Sequence, residues 1–360
     1  MKGLDLCRRY FHECVKPVIE EKYPRINDFY SCALIGSCSD VLENDDEYSC
    51  DHEWGPRLLI FIDEKHRHAI SELKLILNKN IPFEFLGFCT RFVFDNETGH
   101  VRVPSHTHEG FVNIDFYTYD EYINDFLGTL SPSCDLDWLS VPENKLLEIT
   151  SGEIFYDGNN VLHEKLKIFK AYYPPDVWKY RLAYLWQNIG WNIDIIGLCS
   201  KRGDIISEKI AVYKTILPMI KIISAYNRKY SPSYGKWIGK EFYKLPKLAD
   251  ETGFLIEESL KTDDADKIIS SLEIIVRKIT AFHNTYQELP EINIEKSTSI
   301  FSRGFWNIDC QKIADTIYNS VEGELKNMPL HGALDQFVTN EDFLISPKFL
   351  KKLNGIYNIR

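Results

Sequence analysis

The feature that most constrains the fold is a change of hydrophobic period partway along the chain. From residue 161 onward apolar residues recur at helical spacing almost everywhere, over 177–198, 205–230, 265–286 and 310–325. Before about residue 130 the pattern is different. Residues 29–35, 57–62 and 111–119 read as short strands. Residues 92–94 and 100–103, separated by Asn96-Glu97-Thr98-Gly99, read as a hairpin. Helices are expected over 4–22, up to the interruption at Pro24, and over 69–77. Residues 131–160 are turn-rich, with short helical pieces. The expected fold class is therefore α+β. A mixed-sheet domain spans 1–130, a connecting segment 131–160 and an all-α domain 161–360.

Composition narrows the function classes. Across 360 residues, 44% hydrophobic and 26% charged content is ordinary for a packed globular chain. Aromatic content of 13% suggests a core and clefts built on Phe, Tyr and Trp. A net charge of −11 argues against a surface that grips nucleic acid throughout, because phosphate neutralisation needs clustered Lys and Arg. DNA is not an expected partner, although one local basic cleft stays open. Nine cysteines without a Cys-x-x-Cys pair fit a reducing compartment and small buried hydrophobes. No run approaches the ~20 apolar residues needed to span a bilayer. The first residues lead into charged helix rather than an apolar signal region. The expectation is a cytoplasmic protein with no membrane partner.

Chemistry concentrates between residues 36 and 57. Gly36-Ser37 closes the first apolar run, and Asp51-His52-Glu53 precedes the second. Side chains two apart on a strand share a face, so Asp51 and Glu53 are expected to converge while His52 turns away. Two converging carboxylates suit magnesium, a hard ion that completes its shell with phosphate oxygens and water. A Gly-Ser turn can offer backbone N–H groups and a hydroxyl to those phosphates, with no Cβ in the way at the glycine.

This arrangement resembles the DNA-polymerase-β-like nucleotidyltransferase superfamily, whose signature is a Gly-Ser turn followed by an acidic-x-acidic pair on the next strand. Aminoglycoside nucleotidyltransferases are similar in the Gly-Ser and Asp-x-Glu elements. Within the superfamily the chain looks like a large, functionally uncharacterised bacterial family. The resembling runs are Asp45-Asp46-Glu47, Ser49, Trp54-Gly55-Pro56-Arg57, Leu136-Asp137-Trp138-Leu139, Gly152-Glu153-Ile154-Phe155, Tyr173-Pro174-Pro175-Asp176-Val177-Trp178, Arg202-Gly203-Asp204 and 230–237. They span most of residues 1–245. The sequence departs at Glu43 and Asn44, where that family tends to have glycine, at Cys50, where it tends to have arginine, and at Glu53, where aspartate is commoner.

The resemblance implies nucleotidyl transfer from a nucleoside triphosphate, with ATP favoured, to a hydroxyl acceptor. Two magnesium ions would be held by Asp51, Glu53 and a third carboxylate from a later strand. Asp115, an acid among apolar neighbours in 112–116, is the best-placed third member; the alternative is an outward-facing strand residue. Glu84 and Asp95 are weaker. The same fold kept as a catalytically inactive nucleotide-binding module is the rival reading. A small hydroxylated acceptor is favoured over RNA or protein.

Other groups were weighed against simpler roles. The block from Lys221 to Lys247 interleaves cations with Tyr, Trp and Phe. It reads either as a wall for a triphosphate and base or as a solvated helix face with core aromatics. Lys236 is its best candidate. Arg202 could reach the nucleotide too, whereas Asp204 could simply cap a helix. The His106 and His108 pair sits in a loop and lacks the further ligands that zinc needs.

Overall fold

The computed structural model describes residues 1–105, 107, 109–129, 131–232, 235–294 and 308–357, and not the side chains of 341, 347, 351, 353 and 354. His106, His108, Ser233 and Tyr234 lie outside the described residues. The chain divides into two units. One is 1–131 with 145–171, the other 132–144 with 172–360. The break near 131 falls where the period changes. Of the segment expected as a connector, 131–160, residues 132–144 group with the second unit and 145–160 with the first, as do 161–171, which were expected in the helical domain.

The first unit begins with Gly3–Tyr10 (α1), a π-helical turn at Phe11–Val15, and Lys16–Lys22 (α2). The helix expected over 4–22 is present, but with this wider turn. Pro17 offers no N–H and crowds the carbonyl one turn earlier, and a π turn is one way a helix accommodates such a residue. Two apolar runs follow as strands, Tyr30–Leu34 (β1) and Leu58–Ile62 (β2), each buried along its whole length. Ala69–Asn80 (α3) packs Leu73 and Leu77 inward. Short strands come next: Glu84–Phe85 (β3), Phe88–Cys89 (β4), Arg91–Phe94 (β5), Arg102–Pro104 (β6) and Phe111–Val112 (β7). The expected hairpin is β5 against β6, with Phe94 opposite Arg102.

The run 111–119 is not one strand. It breaks at Asn113, so that β7 pairs with β5 while Ile114–Thr118 (β8) pairs with β2. Tyr119–Leu127 (α4) then starts on a Thr118–Glu121 capping box. After Asp135–Ser140 (α5) and Glu143–Thr150 (α6), the strand Glu153–Asp157 (β9) returns to the sheet, followed by Val161–Lys170 (α7). Among the described residues the main sheet has four strands in the order β8-β2-β1-β9. The pairs β1–β2 and β1–β9 are antiparallel, and β2–β8 is parallel with Leu59 opposite Asp115.

The second unit is helical. Pro175–Lys201 (α8) and Ile205–Tyr226 (α9) pack along each other, with Ile238–Tyr243 (α10), Ala249–Lys261 (α11), Ala265–His283 (α12) and Cys310–Tyr318 (α13) around them. Trp178, Trp186 and Tyr226 are fully buried in it. Inside lies an ionic centre. Arg181 meets both oxygens of Asp335 at 3.0 Å and Glu143 at 2.9 Å. The architecture is thus a mixed sheet with helices followed by a helical unit, an α+β arrangement. Among the described residues no helix is long and apolar enough to cross a membrane.

Candidate functional site

The turn after β1 is held from three directions. Gly36 has φ +96°, and its N–H donates to the Glu148 carbonyl at 3.0 Å. A Cβ there would meet the Tyr122 hydroxyl at 2.5 Å, so the position requires glycine on two counts. The Ser37 hydroxyl donates to Glu148 Oε2 at 3.0 Å. Arg57, just before β2, grips buried Asp40 at 2.6 and 3.0 Å and donates to the Ser37 carbonyl at 3.4 Å. Burial alone would lower the guanidinium's pKa; the Asp40 charge reverses that and holds it well above the ordinary arginine value. Lys145 stands behind the turn, 3.7 Å from Glu148 Oε2 and 4.0 Å over the Phe126 ring. Burial lowers its pKa.

Residues 51–53 are bends, not strand, because β2 starts only at Leu58. Gly55 at φ +129° and Pro56 separate them from the ladder. Asp51 and Glu53 therefore do not converge by strand alternation. Asp51 is exposed and bonded to His52 Nδ1 at 2.8 Å, which holds its carboxyl below the usual range. His52 does not turn away. Glu53, at φ +50°, faces the hairpin instead: its N–H donates to the Arg102 carbonyl at 2.9 Å, and its Oε1 accepts from the Arg102 N–H at 2.8 Å.

Glu53 shares a cavity of about 170 Å³ with Arg57, His100, Arg102, Asn113 and Asp115. On β8 the alternate residues Ile114, Phe116 and Thr118 are buried, which leaves Asp115 on the opposite face, toward this cavity. Both its oxygens accept from the Arg102 guanidinium, at 2.8 and 3.0 Å, and Asn113 Oδ1 accepts a further bond at 2.8 Å. Burial works to lower the Arg102 pKa, but the Asp115 bond and the Asp115 and Glu53 charges raise it. Two expected members, Glu53 and Asp115, thus line one cavity, and Asp51 is not among its lining residues. Gly36 and Ser37 connect to the cavity through Arg57. The volume is below the ~300–1,000 Å³ of pockets that enclose a drug-sized ligand.

Glu53 and Asp115 are hard oxygen donors, and magnesium commonly takes one or two protein carboxylates plus phosphate oxygens and water. The two ions expected from the resemblance would need Asp51 as well, and among the described residues no three His, Cys, Asp or Glu groups gather as for a metal.

Residues 138–238 match the model of a domain of unknown function, DUF4037. No curated protein matches the chain. The matched stretch contains Lys145, Glu148, Arg202 and Lys236 and begins well after Asp115. Arg202 ends α8 and Lys236 lies exposed before α10, its ammonium 5.0 Å over the Trp237 ring. Both belong to the second unit. The interleaved aromatics Tyr226, Tyr230, Trp237 and Phe242 are buried, as core residues are, and Asp204 caps α9 by accepting from Ser207 N–H at 3.0 Å. Glu84 is exposed, and Asp95 closes the hairpin turn by accepting from Thr98 N–H at 2.9 Å.

Sequence reasoning missed Arg102, Asn113, Lys145 and Glu148. Glu148 lies 111 residues from Ser37, and nothing local marks it. Arg57 stood inside a recognised run without a role.

Proposed function

We propose that the first unit holds a nucleoside triphosphate by its phosphates and transfers the nucleoside monophosphate to a hydroxyl acceptor. The observation that carries this reading is that Glu53 and Asp115, distant in sequence, line one cavity with two guanidinium groups. Arg57 ties that cavity to the Gly36-Ser37 turn. In the transfer, the acceptor oxygen bonds to the α-phosphorus while the bond to the bridging oxygen breaks. Pyrophosphate leaves with that electron pair, and the hydroxyl proton passes to Asp115. Magnesium held by Glu53 and Asp115 would neutralise phosphate charge. Arg57 and Arg102 give the phosphates cationic partners, and positioning supplies most of the rate in phosphoryl transfer. ATP is the favoured nucleotide. A small hydroxylated acceptor is favoured because a net charge of −11 repels a polyanion.

A second reading, a nucleotide-binding module without turnover, is favoured by one observation: both Asp115 oxygens are engaged by Arg102. Incubation with α-labelled ATP, GTP, CTP and UTP and magnesium, with and without cell extract, separates the two. Label in a product that disappears in Glu53→Gln and Asp115→Asn supports transfer. Nucleotide stabilisation of about 2.7 kcal/mol at 100-fold the Kd, without label transfer, supports the module. The absence of both overturns both.

A further inference from the structure

We infer that Arg102 is the resident counter-ion of the Glu53–Asp115 pair and makes binding ordered: a phosphate must draw its guanidinium away before a divalent cation can enter. The inference rests on the reading that this cavity takes phosphates. The backbone at residue 102 is clamped on both sides by Glu53, at 2.8 and 2.9 Å, so only the side chain is free to move. Its guanidinium uses three N–H donors on Asp115 and Asn113. A guanidinium has five, so two remain for an incoming oxyanion. The side chain is 22% exposed, within reach of a ligand in the cavity.

A second feature points to the same ligand. Asn113 is 2% exposed and lines the cavity, yet its Nδ2 has no hydrogen-bond partner among the described residues. Arginine only donates, so the bond to Arg102 fixes which end of the amide is oxygen. Departure of Arg102 frees that amide to turn its orphan donor toward an oxyanion. A divalent cation meets the opposite situation. It must compete with a forked cation for both Asp115 oxygens, and like charges at this range repel strongly.

The test uses Mn²⁺ as the probe, with free ion read by electron paramagnetic resonance, on the full chain without nucleotide. Arg102→Gln should bind Mn²⁺ at least ~10-fold tighter than the parent, because the competing charge is gone. Adding Glu53→Gln should abolish the gain. In parallel, ATP in excess EDTA should raise the melting temperature of the parent and not of Arg102→Gln. Arg102→Lys keeps the charge without the fork. It should retain part of the ATP response, and it serves if Arg102→Gln melts below the working temperature. Equal Mn²⁺ affinity in parent and variant, or ATP stabilisation only when metal is present, overturns the ordering and leaves the nucleotide reading standing. No nucleotide stabilisation under any condition removes that reading as well.

Discussion

Replacing Gly36 by alanine should cost the first unit about 2–5 kcal/mol, and the structure divides that cost into two parts. The backbone at φ +96° disfavours any L side chain, by about 1–2 kcal/mol. The new methyl would also sit 2.5 Å from the Tyr122 hydroxyl. That ring cannot step aside easily: its centroid lies 5.1 Å from Phe61, 5.2 Å from Tyr117 and 5.5 Å from Phe126. Overpacking of this kind costs about 1–3 kcal/mol. Tyr122→Phe removes the obstructing oxygen and loses one long hydrogen bond, 3.4 Å to the Ile35 carbonyl, worth at most about 1 kcal/mol. In the double variant the next neighbour of the methyl is Phe126 at 3.5 Å, an ordinary contact. The cycle should therefore show a favourable coupling of about 1–3 kcal/mol, with the backbone part left over. Amide hydrogen exchange of peptides covering Tyr30–Leu34 and Leu58–Ile62 reads the opening free energy of this unit directly. A coupling near zero would falsify the steric half of the argument, and a cost below about 1 kcal/mol for Gly36→Ala alone would refute the whole.

Other perturbations probe separate parts of the molecule. Arg181→Met should destabilise the helical unit by about 3–5 kcal/mol, because Glu143 and Asp335 would then be buried without their hydrogen-bonded counter-charge; thermal melts should show Arg181→Met/Asp335→Asn recovering part of the loss. His283 accepts from the Tyr226 hydroxyl at 2.7 Å and donates to the Pro290 carbonyl at 2.8 Å, and burial lowers its pKa below the ordinary 6.5. The unfolded chain then binds the proton first, so this contribution is complete above pH 6.5 and is lost as pH falls through the window below it, at up to ~1.4 kcal/mol per pH unit. Melts from pH 7.5 downward should be flatter for His283→Gln over that range. Glu43 adopts φ +56°, a conformation that favours glycine, so Glu43→Gly should raise denaturant stability by about 0.5–1 kcal/mol after the entropic cost of glycine.

Much of the fold was legible because its strands are buried along their whole length. Residues 30–34 and 58–62 carry no polar interruption beyond Ser31. The hairpin was legible from its Asn-Glu-Thr-Gly turn. The strand at Glu153–Asp157 was not. It is only half-buried, it ends in charges, and its partner lies more than a hundred residues upstream, so no local pattern announces it. Residues 111–119 looked like one strand because apolar residues alternate through Asn113. The break comes from a tertiary bond, Leu58 N–H to the Asn113 carbonyl at 3.0 Å, which aligns the chain on β2.

In the candidate site, the acids Glu53 and Asp115 could be singled out in the sequence, whereas their geometry and their partner Arg102 could not. Gly36 was identifiable because a turn that tight leaves glycine few substitutes. For Asp51 and Glu53, strand parity was applied to residues that Gly55 and Pro56 separate from the strand; a proline two residues before β2 was itself a warning that the ladder had not begun. Asp115 was found by its apolar neighbours, but the hairpin places Arg102 against it, and that partnership exists only in three dimensions. Counting acids in sequence measures how many carboxylates a site contains, not what neutralises them. Here the neutralising group is a guanidinium anchored through its own backbone to one acid and forked onto the other. An acidic pair that folds with its cation already in place gains little from a second cation and much from an anion that can share the first. On the proposed reading, the chemistry of this cavity would turn on whether an oxyanion can draw Arg102 from Asp115.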